Sequence, residues 1–257
     1  MKIRCESITH FLPRTSADVY SGVVGPYAMA GYSDAEWYCI LGLRTGDQTG
    51  LGQILDPDHG RLLLDVLRRR QADPRFFFAV PKCLYDLPHF CDGQIDWFLG
   101  RENIRIEAVE RDRLTDDLAR QAGLYPLISR LQEFPLVLIG PEPLRAMKDV
   151  LHYGHFVPIS TPNLHREPGG IDSAVERALA HRRGRTVHLV SAGVSAAIII
   201  DRLYEASPGS WYIDCGSIWD AFVGIGGQRE WREELYHSPH RLEAWKRDNI
   251  EGKHRAS

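Results

Sequence analysis

No apolar run in this chain approaches the roughly 20 residues that a helix needs to cross a bilayer, so no membrane span is expected. The opening residues, Met1-Lys2-Ile3-Arg4-Cys5-Glu6, lack the long apolar segment of a secretion signal. Cysteine is scarce. There are five, an odd number and widely spaced, so a disulfide framework is not expected and the thiols read as reduced in a cytoplasmic chain. Charge of one sign is also missing. A formal net charge of -3 gives no global pull toward nucleic acid or an anionic membrane. Internal repeats, low-complexity tracts and clean linkers are absent, which predicts one domain over 1–257 with a polar helical extension over about 228–257.

What is there suits a buried core: 257 residues, 44% of them hydrophobic. The second half alternates short apolar runs with helical spacing. Residues 135–139, 156–160, 186–190 and 211–213 read as strands, and 142–152, 171–182 and 192–206 as helices. The first half is less regular. Residues 27–32 and 76–80 read as strands and 58–70 as a helix. The alternating stretch 104–109 suggests an exposed or edge strand, and 114–134 two helices broken near Gly123 or Pro126. Continuous apolar strands separated by helices predict an α/β fold that is Rossmann-like, with a mostly parallel sheet and helices on both faces.

In such sheets ligands sit at the carboxyl ends of the strands. Four predicted ends carry suggestive residues: Tyr32-Ser33-Asp34, Gly140-Pro141-Glu142, Ser191-Ala192-Gly193 and Asp214-Cys215-Gly216-Ser217. Small residues let backbone amides approach a phosphate, although Gly and Ser also close strand-to-helix turns for steric reasons alone. The segment Tyr32-Ser33-Asp34-Ala35-Glu36-Trp37 adds two carboxylates two positions apart. Asp34 and Glu36 could hold a hard divalent cation through oxygen. Equally, Ser33-Asp34-Ala35-Glu36 fits a capping box, in which Glu36 reaches back to the cap amide.

Other groupings offer other chemistry. Ala192-Gly193-Val194-Ser195 follows a strand as a nucleophile elbow does, and Asp214 with His237 or His240 completes the chain order of a serine hydrolase triad. Gly224-Ile225-Gly226-Gly227 is no dinucleotide fingerprint, because Arg229 stands where a third glycine belongs. Cys83, His89 and Cys91 lack zinc spacing, and His152 with His155 lacks a third ligand. Arg68-Arg69-Arg70 and His181-Arg182-Arg183-Gly184-Arg185 end helices, where cations complement the dipole in a solvated terminus. Trp231, Arg232, Trp245, Lys246 and Arg247 mix aromatic and basic residues. That suits stacking on a base or sugar, or an amphipathic helix docked on the core.

The order of these motifs resembles the glycosyltransferases of the GT-D fold, first catalogued as a bacterial domain of unknown function. That family opens with a strand and an Arg-hydrophobic-Gly-Asp-Gly-Glu motif, matched here by Gly31-Tyr32-Ser33-Asp34-Ala35-Glu36. Its late strand, Gly-x-x-Ala helix and strand ending in Asp-x-Gly look like 190–196 and 212–216. The likeness extends over about 25–225. Gly31 replaces the family's Arg, and Ser33 and Ala35 replace its glycines, so another cation must meet the phosphate or the donor binds differently.

The resemblance implies transfer of a sugar from a nucleotide-sugar donor, UDP-linked, to a hydroxyl acceptor, with Asp34 and Glu36 holding manganese or magnesium. Tyr32, Ser33, Gly140, Glu142, Ser191, Gly193, Asp214, Gly216 and Ser217 would line the donor site. Asp220 is the first candidate for the base that deprotonates the acceptor, and His165 the second. The acceptor stays open among glycan, metabolite and modified nucleic-acid base. A serine hydrolase on Ser195, Asp214 and His237 or His240 is one alternative reading, and a non-catalytic nucleotide-binding module another.

Overall fold

The computed structural model describes residues 2–4, 25–43, 46–47, 54–80, 93–110, 119–120, 122–160, 162–225 and 230–252. The readings on Cys83, His89, Cys91, Gly226, Gly227 and Arg229, and on the Trp231 side chain, lie outside the described residues. The strands are β1 (Lys2–Arg4), β2 (Ala28–Gly31), β3 (Gly46–Asp47), β4 (Ile54–Leu55), β5 (Phe76–Val80), β6 (Glu107–Glu110), β7 (Leu136–Gly140), β8 (His155–Pro158), β9 (Val187–Val190) and β10 (Trp211–Asp214). Eight of these form one sheet in the order β1-β6-β5-β2-β10-β9-β7-β8. Every neighbouring pair in that sheet runs parallel. β3 and β4 pair separately and antiparallel.

The helices are α1 (Asp34–Leu41), α2 (Pro57–Arg70), α3 (Gln94–Arg101), α4 (Tyr125–Leu131), α5 (Lys148–Leu151), α6 (Gly170–Ala180), α7 (Ala196–Ala206), α8 (Asp220–Val223), α9 (Glu230–Tyr236) and α10 (Pro239–Glu251). Strand side chains alternate between faces, and two cores follow from that. Ala28, Ala30, Phe76, Phe78, Val137, Ile139, Val190 and Tyr212 pack with α1, α2, α3, α6 and α7. Tyr27, Met29, Leu136, Leu138, Val187, Leu189, Trp211 and Ile213 pack with α4, α8, α9 and α10. The expected α/β architecture, a parallel sheet covered on both faces, is therefore present.

Three local expectations change. β6 is not an edge strand, because the chain's opening residues pair outside it as β1. The segment 142–152 begins as a tighter 3-10 turn over Glu142–Met147 before α5. Of the arginines closing α2, Arg68 and Arg69 are exposed as a solvated terminus requires, but the terminus is also anchored. Arg69 and Arg70 both donate to the buried carboxylate of Asp201 on α7, at 2.5 and 2.7 Å. For the polar C-terminal stretch, the reading of a helix docked on the core is the one present. The Trp245 indole donates to the Ala119 carbonyl at 2.7 Å, and buried Asn249 accepts from the Leu124 amide at 2.9 Å. These two residues satisfy backbone groups that precede α4, which fixes α10 on the second face.

β2 and β10 are adjacent and parallel. The helix after β2 packs on the first face and the helix after β10 on the second. The backbone therefore diverges at the carboxyl ends of these two strands and opens a crevice between them, as it does again where β9 lies between β10 and β7, and such divergences are where ligands bind in a doubly wound sheet.

Candidate functional site at the carboxyl edge of the sheet

Because the sheet is parallel, all four predicted strand ends lie along one edge: 31–34 after β2, 140–142 after β7, 191–195 after β9 and 214–217 after β10. The centre of this edge is held by Asp214. Its Oδ2 accepts from the Gly31 amide at 3.0 Å and its Oδ1 from the Gly216 amide at 2.8 Å. One buried carboxylate thus ties the end of β2 to the turn after β10. It leaves the backbone at both sides of the crevice fixed, with Gly216 at a φ of +50° that a side chain would disfavour. Asp214 is a structural clamp, and each of its oxygens accepts one of these amides.

The two carboxylates of the Asp34-x-Glu36 segment part company. Glu36 is buried, and its Oε2 accepts from the Ser33 amide at 2.8 Å and from the Ser33 hydroxyl at 2.6 Å. It closes the capping box of α1. Asp34, the first residue of the same helix, is partly exposed and makes no hydrogen bond or ion pair with the described residues. Tyr32 leaves the crevice altogether. Its ring is buried in the first core, and its hydroxyl donates to the Leu63 carbonyl at 3.0 Å. Burial pushes that phenol well above its usual range, with Asp201 and Glu36 adding to the effect. Only the Tyr32 backbone remains at the edge.

Along the rest of the edge the residues sort by depth. Gly140 ends β7 where an added Cβ would lie 2.8 Å from the end of the Leu144 side chain and 3.5 Å from Ser191, so a larger residue would require Leu144 to shift. Glu142 points outward into an exposed ion pair with Arg145, which lowers its carboxyl below the usual range. Gly193 opens the turn after β9 at a φ of +54°. The hydroxyls of Ser191 and Ser195 are buried and make no hydrogen bond with the described residues.

The hydrolase arrangement is not assembled. Ser195 has no exposed surface, Asp214 is committed to two amides, and His237 and His240 are exposed on the element that covers the opposite face from α7. Neither expected base stands open either. Asp220 pairs with the guanidinium of Arg232 at 3.4 Å. Both ring nitrogens of His165 are buried, and the ring lies 4.4 Å from that of His59.

His59 was not singled out by spacing. It sits in the first turn of α2, buried, and its Nε2 bonds the Val194 carbonyl at 2.9 Å. A carbonyl can only accept, so Nε2 carries the proton. Burial lowers this imidazole to about 4, against the opposing pull of the Val194 carbonyl, so it is neutral at physiological pH. Its partner is 135 positions away in the chain, and no local pattern announces it. Cys39 and Cys215 are buried and in no disulfide, and burial pushes the Cys39 thiol up to about 11, which keeps it protonated and unreactive.

Among the described residues no group of three or more His, Cys, Asp or Glu side chains could hold a metal ion, and no helix is long and apolar enough to cross a membrane. No family model, no curated protein and no solved structure matches this chain.

Proposed function

We propose that the crevice between β2 and β10 binds a nucleotide-sugar donor, and that the chain is a glycosyltransferase delivering the sugar to a hydroxyl acceptor. One observation carries this reading. Asp34 holds an uncommitted, partly exposed carboxylate at this crevice, beside backbone that Asp214 has fixed. The order of the motifs along the chain, set out above, points the same way.

The donor set fits a divalent ion only in a particular mode. Glu36 is occupied by its cap, which leaves Asp34 as the exposed oxygen ligand. Magnesium in particular is commonly held by one or two carboxylates together with substrate phosphates rather than by an all-protein cage. An ion shared by Asp34 and a diphosphate needs no cluster of three protein ligands. Bound there, its contribution would be to neutralise charge on the departing nucleotide. The chain's own part is positional. Glu36 orients the first turn of α1 and hence Asp34. Asp214 sets the amides of Gly31 and Gly216, and Ser217 offers a hydroxyl beside them.

The test is a thermal-shift panel of UDP-sugars with and without manganese, on the wild type and on Asp34→Asn. Ligand at a hundredfold excess over its Kd stabilises by about 2.7 kcal/mol, a shift that is easily read. The shift is expected only with ion and nucleotide together, and Asp34→Asn should lose it while unfolding at the wild-type temperature without ligand. An equal shift in the variant would sink the reading. Binding without any transfer to sugar acceptors would favour a nucleotide-binding module instead.

A further inference from the structure

We infer that Arg232 is the cation of this crevice, acting through Ser217, whose hydroxyl it orients as a hydrogen-bond donor toward a phosphate. The inference rests on the reading of the crevice as a diphosphate site and adds the group that recognises the anion. Arg232 belongs to α9, on the element that follows the described core of the sheet, and only 2% of its surface is exposed. Burying a guanidinium costs several kcal/mol unless its donors are met. Here Nη2 donates to both the carbonyl and the hydroxyl oxygen of Ser217, each at 2.8 Å, and Nη1 reaches Asp220 at 3.4 Å. Two contacts of one buried cation therefore fall on the turn that leaves β10, and a third on Asp220, the first residue of α8.

The polarity of those bonds decides the chemistry. Arginine has donors only. The Ser217 oxygen must then accept, and its own hydrogen is left to point elsewhere. Ser217 is partly exposed, and its hydroxyl donates to none of the described residues. It stands next to Gly216, whose amide is turned onto Asp214 at 2.8 Å. The turn is thus pinned from two sides, by a carboxylate through Gly216 and by a guanidinium through Ser217. The turn lies at the carboxyl end of β10, and what it offers there is an O–H whose oxygen is already bonded to a guanidinium, a cation that it shares with the Asp220 carboxylate. A hydroxyl held this way favours an anionic acceptor, because hydrogen bonds to charged groups are roughly twice as strong as neutral ones. Arg232 would be a positioning residue that does not itself touch the ligand.

Removing the Ser217 hydroxyl leaves its carbonyl to hold Arg232, so Ser217→Ala is expected to fold. The experiment titrates UDP, and uridine as the phosphate-free control, each with manganese, into the wild type, Ser217→Ala, Ser217→Thr and Arg232→Gln. Ser217→Ala should weaken UDP about tenfold or more, the worth of one hydrogen bond to a charged acceptor. Uridine binding should not change, and Ser217→Thr should retain the wild-type UDP affinity. Arg232→Gln should match Ser217→Ala if it folds. If the wild type binds UDP and Ser217→Ala binds it equally, Arg232 is only a staple for α9 and the inference is wrong while the donor site stands. If the wild type binds neither UDP nor uridine, the donor-site reading fails and this inference falls with it.

Discussion

At the scale of single residues, the pair of carboxylates at the start of α1 divides into a structural and an available one. Glu36 takes both hydrogens of Ser33, while Asp34 takes none. Losing a helix cap costs about 1 kcal/mol, so Glu36→Ala should lower the urea unfolding free energy by about that amount or more. Asp34→Ala should cost only the few tenths that a first-turn carboxylate draws from the helix dipole. Equal destabilisation by the two substitutions would mean that the division is wrong. The consequence for function is practical. Neutralising both residues at once confounds a lost ligand with a frayed helix, and Asp34 alone is the clean probe. The sequence made both roles visible at this segment, because capping and chelation both demand short acidic side chains here. It could not apportion them, because the choice depends on which way the Glu36 carboxylate turns. Asp214 is a similar case. A strand-end aspartate reads as a catalytic or ligand-binding group, yet it serves two amides, one of them 183 positions away.

At the scale of elements, the legible parts of the fold were those whose burial is uniform. β5, β7, β9 and β10 are continuous apolar runs because both faces of the sheet are covered. Their pattern is written in the residues themselves. β6 read as an edge because its alternation resembles a half-exposed strand, and what covers it is the distant β1. The contact of α1 with α2 was illegible for the same reason. Gly60 in the first turns of α2 looks like a weak point in a helix, worth up to about 1 kcal/mol if replaced by Ala. In the structure an added Cβ there would lie 2.1 Å from the Cys39 carbonyl oxygen and 2.4 Å from its carbon. Backbone cannot step aside as a side chain can, so the two helices would have to part. Gly60→Ala is therefore expected to destabilise by about 3 kcal/mol or more, at the upper end of overpacking costs, in place of the usual gain. Since α1 carries Asp34, the same variant should weaken UDP with manganese even where it remains folded. A Gly60→Ala protein as stable as wild type in urea would show that α1 and α2 do not pack this closely.

At the scale of the whole molecule, the near balance of charge hides two buried imidazoles that couple the fold to pH. His59 lies under the turn after β9. His188 lies inside the first core, where its ring stacks on Tyr212 at 4.8 Å between centroids. Burial lowers each to about 4, with nearby His165 acting in the same direction on His59 and Arg182 on His188. An unfolded histidine titrates near 6.5. Between these values the unfolded chain holds protons that the native chain does not, so stability rises with pH there. It should be fully present above about 6.5, fall as the pH drops, and flatten near 4. Each histidine contributes on the order of 3 kcal/mol to that fall. His188 touches no part of the crevice edge, which makes it the better position to vary. His188→Phe keeps a ring against Tyr212 and removes the titrating group. Urea unfolding measured from pH 7.5 to 4 should show a shallower loss in the variant than in the wild type, with the remainder shared by His59, by His155 and by paired carboxylates such as Glu102 and Glu142. A variant whose stability falls as steeply as the wild type's would mean that His188 does not hold back a proton, and that the acid sensitivity of the fold arises elsewhere.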